Sequence, residues 1–170
     1  GRSTGVLRTA VVASAMTVLV IGGVVAGFGP QVQPGPYLVG GENRAVEAQG
    51  IHAAQWTRKE LGQDRVVAAD RTNRLLASVY GHQRVVTSLY DRLDVSLLFL
   101  APTFGENQRR IVDQAGIEYI LVDRRLSLRL PWVGHYFEGH ELPGGHKSPA
   151  SLEALNKFDG MPFVNRVYDN

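Results

Sequence analysis

An α/β fold, with one N-terminal transmembrane helix followed by an open, mostly parallel-sheet, Rossmann-like domain, is what this 170-residue chain predicts. Three observations predict it: a charge-free stretch of twenty residues near the amino terminus, a Pro/Gly-rich connector after it, and short apolar β-branched runs alternating with helical patterns beyond. The length suffices for one domain with its own core. The chain has no cysteine, which excludes a disulfide scaffold, a thiolate metal site and a cysteine nucleophile. A formal net charge of +2 gives no reason to expect a nucleic-acid partner without a local basic patch.

The charge is informative by position. Residues 31–170 contain 16 Lys plus Arg and 16 Asp plus Glu, so the excess of two belongs to Arg2 and Arg8. Both precede residues 9–28, TAVVASAMTVLVIGGVVAGF, which at about 1.5 Å per helical residue match a hydrocarbon core of roughly 30 Å. The expectation is a membrane span at 9–28 with residues 1–8 as its cytoplasmic flank. The amino terminus then lies in the cytoplasm, and residues 31–170 lie outside it. A cleaved signal peptide is the competing reading, since Val24-Val25-Ala26 resembles a cleavage site, although its apolar region is usually shorter. Within the span, Gly23 and Gly27 form a small-xxx-small pair suited to packing on neighbouring transmembrane helices.

Residues 29–41, GPQVQPGPYLVGG, stop the helix and act as an extended linker, because Pro30, Pro34 and Pro36 fix φ and donate no backbone hydrogen bond. The α/β domain follows at 42–170. Its first helix is expected over 42–61, where Ala48, Ile51, Ala54 and Leu61 share a face and Gly50 costs about 1 kcal/mol against alanine. A strand follows at 65–69, closed by Asp70, then a helix over 72–80 ended by Gly81. Residues 84–87 read as a second strand. The run VSLLFL at 95–100 is apolar on both faces and fits a buried strand or a helical turn. Residues 106–115 form a helix with Gly116 at its C′ position, and residues 117–122 a strand stopped at Asp123. Ser148 and Pro149 suggest a helix start, and 164–168 a last strand. Both chain ends look cut from something longer: no methionine stands first, and Asp169-Asn170 suits a turn into a further strand.

In open α/β sheets ligands sit beyond the carboxyl ends of parallel strands, and two strands end alike, at Asp70-Arg71 and at Asp123-Arg124-Arg125. A carboxylate there suits a ligand hydroxyl and an arginine suits a phosphate. The alternative is that Asp70 caps a helix and Asp123 closes a turn. In LPWVGHYFEGHELPGG, Trp132 and Tyr136 are candidates to stack on a sugar ring, or else to plug the loop onto the core. His135, His140 and His146, with Glu138 and Glu141 among them and His82 elsewhere, lack the i, i+4 spacing of a catalytic zinc helix, so no metal site is expected. His52 reads as a partly buried polar residue of the first helix. No GxGxxG follows a strand, and neither GxxxxGK[ST] nor GxSxG occurs, so no cofactor and no catalytic residue is assigned.

The succession GENRAVEAQGIHAAQWTRKELG, DRVVAADRTNRLLASVYG, AGIEYILVDRRLS and VNRVYDN resembles the carboxyl-terminal extracytoplasmic region of actinobacterial-type polytopic membrane proteins, similar to GT-C superfamily glycosyltransferases and uncharacterised relatives. The resemblance covers nearly all of the chain after residue 40. It implies sugar transfer from a polyprenyl-phosphate donor by a parent enzyme whose acidic catalytic residues lie in other loops, with this chain as an accessory domain. The alternative is a membrane-anchored or secreted glycan-binding module of the cell envelope. Expected partners are accordingly the membrane, other transmembrane helices and a glycan or polyprenyl-phosphate sugar.

Overall fold

The computed structural model describes residues 11–14, 38–40, 45–138, 141–142 and 144–170, and the chain divides into two units, Gly1–Gly35 and Pro36–Asn170. Every element named below belongs to the second unit. Helix α1, Ala48–Trp56, runs directly into a π-helical turn, Thr57–Leu61. Strand β1, Val66–Ala68, leads into α2, Arg71–Val79, and strand β2, Arg84–Val85, into α3, Ser88–Asp91. Helices α4, Ser96–Leu100, and α5, Glu106–Ala115, precede strand β3, Tyr119–Ile120, and a 3-10 turn at Arg124–Ser127. A last helix, α6, Leu152–Asn156, passes into a 3-10 turn, Lys157–Gly160.

The sheet has the order β2-β1-β3 and is parallel throughout, with Val66 opposite Arg84, Val67 opposite both Val85 and Tyr119, and Ala68 opposite Ile120. The strands are three, two and two residues long, inside a body that is mainly helical. The open Rossmann-like sheet expected from the sequence is therefore corrected to a small parallel sheet within a mixed, mostly helical fold. Two runs account for much of the difference: 95–100, which fits a buried strand or a helical turn by sequence, is helical, and the strand expected at 164–168 does not form. In 95–100, Val95, Leu98 and Phe99 are buried, an i, i+3, i+4 spacing that only a helix satisfies, and Asp94 starts the turn by accepting from Ser96 N (2.9 Å) and Ser96 Oγ (2.6 Å). Residues 164–168 form no ladder. Their placement comes from side chains instead: Tyr168 packs on Trp56 with ring centroids 4.7 Å apart, and Arg166 pairs with Asp159 and Asp169. The helix expected from Ser148 begins at Leu152, because Ser151 Oγ accepts from Ala154 N while Ala150 N is committed to Leu126 O.

No helix among the described residues is long and apolar enough to cross a membrane. The expected membrane-spanning helix, and with it the assignment of the two sides of the chain to cytoplasm and exterior, is corrected to that extent: the described residues give it no support. Of the segment 9–28 only residues 11–14 are described, where they are helical and exposed; Gly23 and Gly27 lie outside the described residues.

The core gathers Val86, Val95, Leu98, Phe99, Ile111, Leu126, Leu155 and Phe158 around the sheet. Phe99 stacks on Phe137 at 4.7 Å and meets Phe158 edge-on at 6.2 Å. Gly50, a helix-weakening residue by propensity, stands where α1 crosses α2: a Cβ there would lie 2.8 Å from Leu76 Cδ1 and 3.2 Å from Asn73 Oδ1. Before the sheet, the buried Gln83 amide accepts from Arg65 N (2.9 Å) and donates to Gly62 O (2.7 Å) and Gly81 O (2.8 Å), joining the lead-ins of β1 and β2. Gly81 fits this junction only without a side chain, because its Cβ would fall 2.4 Å from Ala77 O and 2.8 Å from Thr57 Oγ1. Gly81→Ala is expected to lower stability by about 1–3 kcal/mol, as overpacking against backbone does; an unchanged urea midpoint would show that α2 yields at its end without cost.

Candidate functional site

Strands β1 and β3 are neighbours, yet the chain leaves β1 towards β2 on the other side, so their carboxyl ends flank the point where the strand order reverses. Crevices of open parallel sheets form at such points. Asp70 follows β1 by two residues and Asp123 follows β3 by three, which brings the two predicted carboxylates to the same end of the sheet.

Asp70 is 4% exposed. Its Oδ1 accepts from Thr72 N (3.0 Å) and Asn73 N (3.2 Å), so it caps α2, and its Oδ2 accepts from Asn73 Nδ2 at 2.6 Å. The same Nδ2 lies 3.2 Å from Asp123 Oδ2. Asn73, buried on the first turn of α2, thus bridges the two strand ends. Burial, and secondarily the charge of Asp123, push the Asp70 carboxyl up to about 6, against the lowering by the Asn73 and Thr72 hydrogen bonds.

Asp123 in turn receives Arg125 in a fork, Nε on Oδ1 and Nη2 on Oδ2, both at 2.8 Å, and closes the 3-10 turn by accepting from Arg125 N. The remaining Arg125 nitrogen, Nη1, pairs with Glu47, just ahead of α1. Arg71 donates its backbone N–H to Tyr136 O (2.9 Å), and its Nη1 lies 3.4 Å from His135 Nε2. Of the predicted site residues, Asp70, Asp123 and Arg125 are therefore brought together through Asn73, while Arg71 reaches the loop at His135. Arg124 is not among them: it turns to Asp159 Oδ2 at 3.0 Å.

The loop at 131–138 meets the site at Arg71, and its aromatics divide. Trp132 is 70% exposed, with its backbone N–H bonded to Val39 O. Tyr136 is 1% exposed, its hydroxyl donates to Arg129 O (2.7 Å), and it is a core residue rather than a stacking surface. The buried carboxylate of Glu141 organises this loop by accepting from Tyr136 N and Phe137 N (both 2.6 Å) and Glu138 N (3.1 Å), and by pairing with His146. Glu138 pairs with Arg74 of α2. Among the described residues no group of three or more His, Asp or Glu side chains is placed to hold a metal ion; His140 lies outside them. His52 is exposed rather than partly buried.

Sequence reasoning missed Asn73, Glu47 and the organising role of Glu141. Asn73 had a legible signal, since a polar residue three positions after a helix cap faces the capping side chain. Glu47 and Glu141 act through the tertiary fold and had none. Compared with known protein families, curated proteins and solved structures, the chain matches none.

The Glu141 carboxylate satisfies three backbone N–H groups with its side chain only 1% exposed. Glu141→Ala leaves those donors buried and unpaired and is expected to cost about 3 kcal/mol or more. Limited proteolysis should then cut within 131–146 before any other segment, and cleavage elsewhere first would contradict this role.

Proposed function

We propose that the chain is an accessory, non-catalytic domain that receives a hydroxyl-rich ligand, a glycan or the sugar end of a polyprenyl-phosphate sugar, in the service of a glycosyltransferase. The observation that carries this reading is the joining of Asp70 and Asp123 through Asn73 at the reversal point of the sheet. A buried carboxyl displaced upwards, as Asp70 is, at the carboxyl ends of parallel strands is a candidate ligand group. The non-catalytic reading is supported by the commitments of these groups: Asp70 is held by α2, and Asp123 by Arg125 and Asn73. Neither carboxylate is paired with a nucleophile that it would activate.

An independent glycan-binding module is the second reading, favoured by Trp132. Its ring stays 70% exposed while Pro131, Tyr136 and Phe137 around it are buried, the disposition of an aromatic platform. Both readings are tested by a glycan array and by titration with short-chain polyprenyl-phosphate sugars, using the full chain. Trp132→Ala is expected to fold normally and to weaken binding roughly tenfold, the scale of one lost stacking contact of about 1.4 kcal/mol. Binding to none of these ligands would refute both.

A further inference from the structure

A second carboxylate beside a buried first one is an arrangement that a helix cap does not require. Asp70 Oδ2 and Asp123 Oδ2 both turn to the one side-chain nitrogen of Asn73, at 2.6 and 3.2 Å. We propose that this pair is a proton-operated latch across the crevice: with one proton on the pair the ends of β1 and β3 are drawn together, and with both carboxylates ionised their repulsion loosens that junction. The inference rests on the reading that ligand enters where β1 and β3 end, and it adds the regulation of that entry.

The groups facing the pair come from each element packed on it. From α2 come the N–H groups of Thr72 and Asn73, and Arg74, whose N–H donates to Asp70 O (2.8 Å) while its guanidinium is taken by Glu138. From the turn after β3 comes Arg125, shared between Asp123 and Glu47, and from the loop comes His135, at Arg71. The Arg125 fork is committed to Asp123, whereas the buried Asp70 carboxyl is held by the neutral donors of Thr72 and Asn73, and Asp70 is the member that takes the proton.

The folded chain binds this proton more tightly than the unfolded chain, since the Asp70 carboxyl stands at about 6 against an ordinary 3.8. Its stabilisation is complete below the ordinary value and is lost as pH rises through about 6. Between pH 5 and 7.5 this group alone lowers the folding equilibrium constant about tenfold.

Three measurements on the full chain test the latch. Urea midpoints of the wild type and of Asp70→Asn are compared at pH 5 and 7.5; other titrating groups cancel in the comparison, and the ratio of the two folding constants should shift about tenfold in favour of the variant as pH rises. Hydrogen exchange of Leu121 N–H, bonded to Ala68 O at 2.9 Å, and of Thr72 N–H should accelerate several-fold over the same interval, after correction for base catalysis, in the wild type only. Parallel pH profiles, or equal exchange in both proteins, would overturn the latch. Should Asp70→Asn fail to fold, the wild-type carboxyl carbon of Asp70, followed by NMR, decides: a midpoint near 6 upholds the latch, and one near 4 removes it. None of these readouts involves a glycan, so a chain that binds no glycan can still show the latch, and one that binds glycan can still lack it.

Discussion

The side-chain nitrogen of Asn73 carries two hydrogens and lies within reach of two carboxylates, one at the end of β1 and one at the end of β3. Much of the domain is arranged to keep it there. Asn73 sits on the first turn of α2, so its position depends on the Asp70 cap that starts that helix. Its Oδ1 lies under Gly50 of α1, where any side chain would intrude, so the crossing of the two helices depends on it as well. Asp123 extends the same network through Arg125 to Glu47, tying the lead-in of α1 to the end of β3. A polar network of this kind is stable only when each member is satisfied, and then it specifies one arrangement of the elements that it joins.

A second buried carboxylate, Glu141, does for the loop what Asn73 does for the strands. By collecting three successive N–H groups it bends 136–138 into a nest that drives Tyr136 and Phe137 into the core. Phe137 then stacks on Phe99 of α4, and Glu138 takes Arg74 of α2. One short segment thus joins α2 to the core, and Trp132 is left outside as an exposed ring.

What was legible in the sequence is what local chemistry decides. The bounds of α5 follow from its apolar spacing and from Gly116, and Asp70 announced the start of α2, because a cap and a left-handed terminal glycine act within one turn. The pairing of Asp70 with Asp123 was legible only as a repeated strand ending; that both reach the same end of the sheet depends on the sheet order, which no local pattern carries. The run at 95–100 stayed open between strand and helical turn because an apolar run does not distinguish the two, and 164–168 misled because β-branched residues say nothing about whether a neighbouring strand is there to pair with. Tyr136 misled for a related reason. Its burial is imposed by Glu141, five residues away, through backbone contacts that side-chain composition does not reveal.

A helix cap needs an oxygen, and asparagine or serine supplies one as well as aspartate does. Aspartate at position 70 brings a charge that the fold must bury beside another carboxylate. At two pKa units of displacement the penalty at neutral pH is about 3 kcal/mol, larger than the roughly 1 kcal/mol that a cap contributes. Capping therefore does not account for the charge. The neighbouring Asp123 is explained structurally, since it closes a turn and receives Arg125. The latch proposed for the pair is a role in which the charge itself, and not only the capping oxygen, is used. The place of Asp70 at the reversal point of the sheet is where the proposed ligand would enter, and the proposed latch gives the charge of one buried side chain a use there.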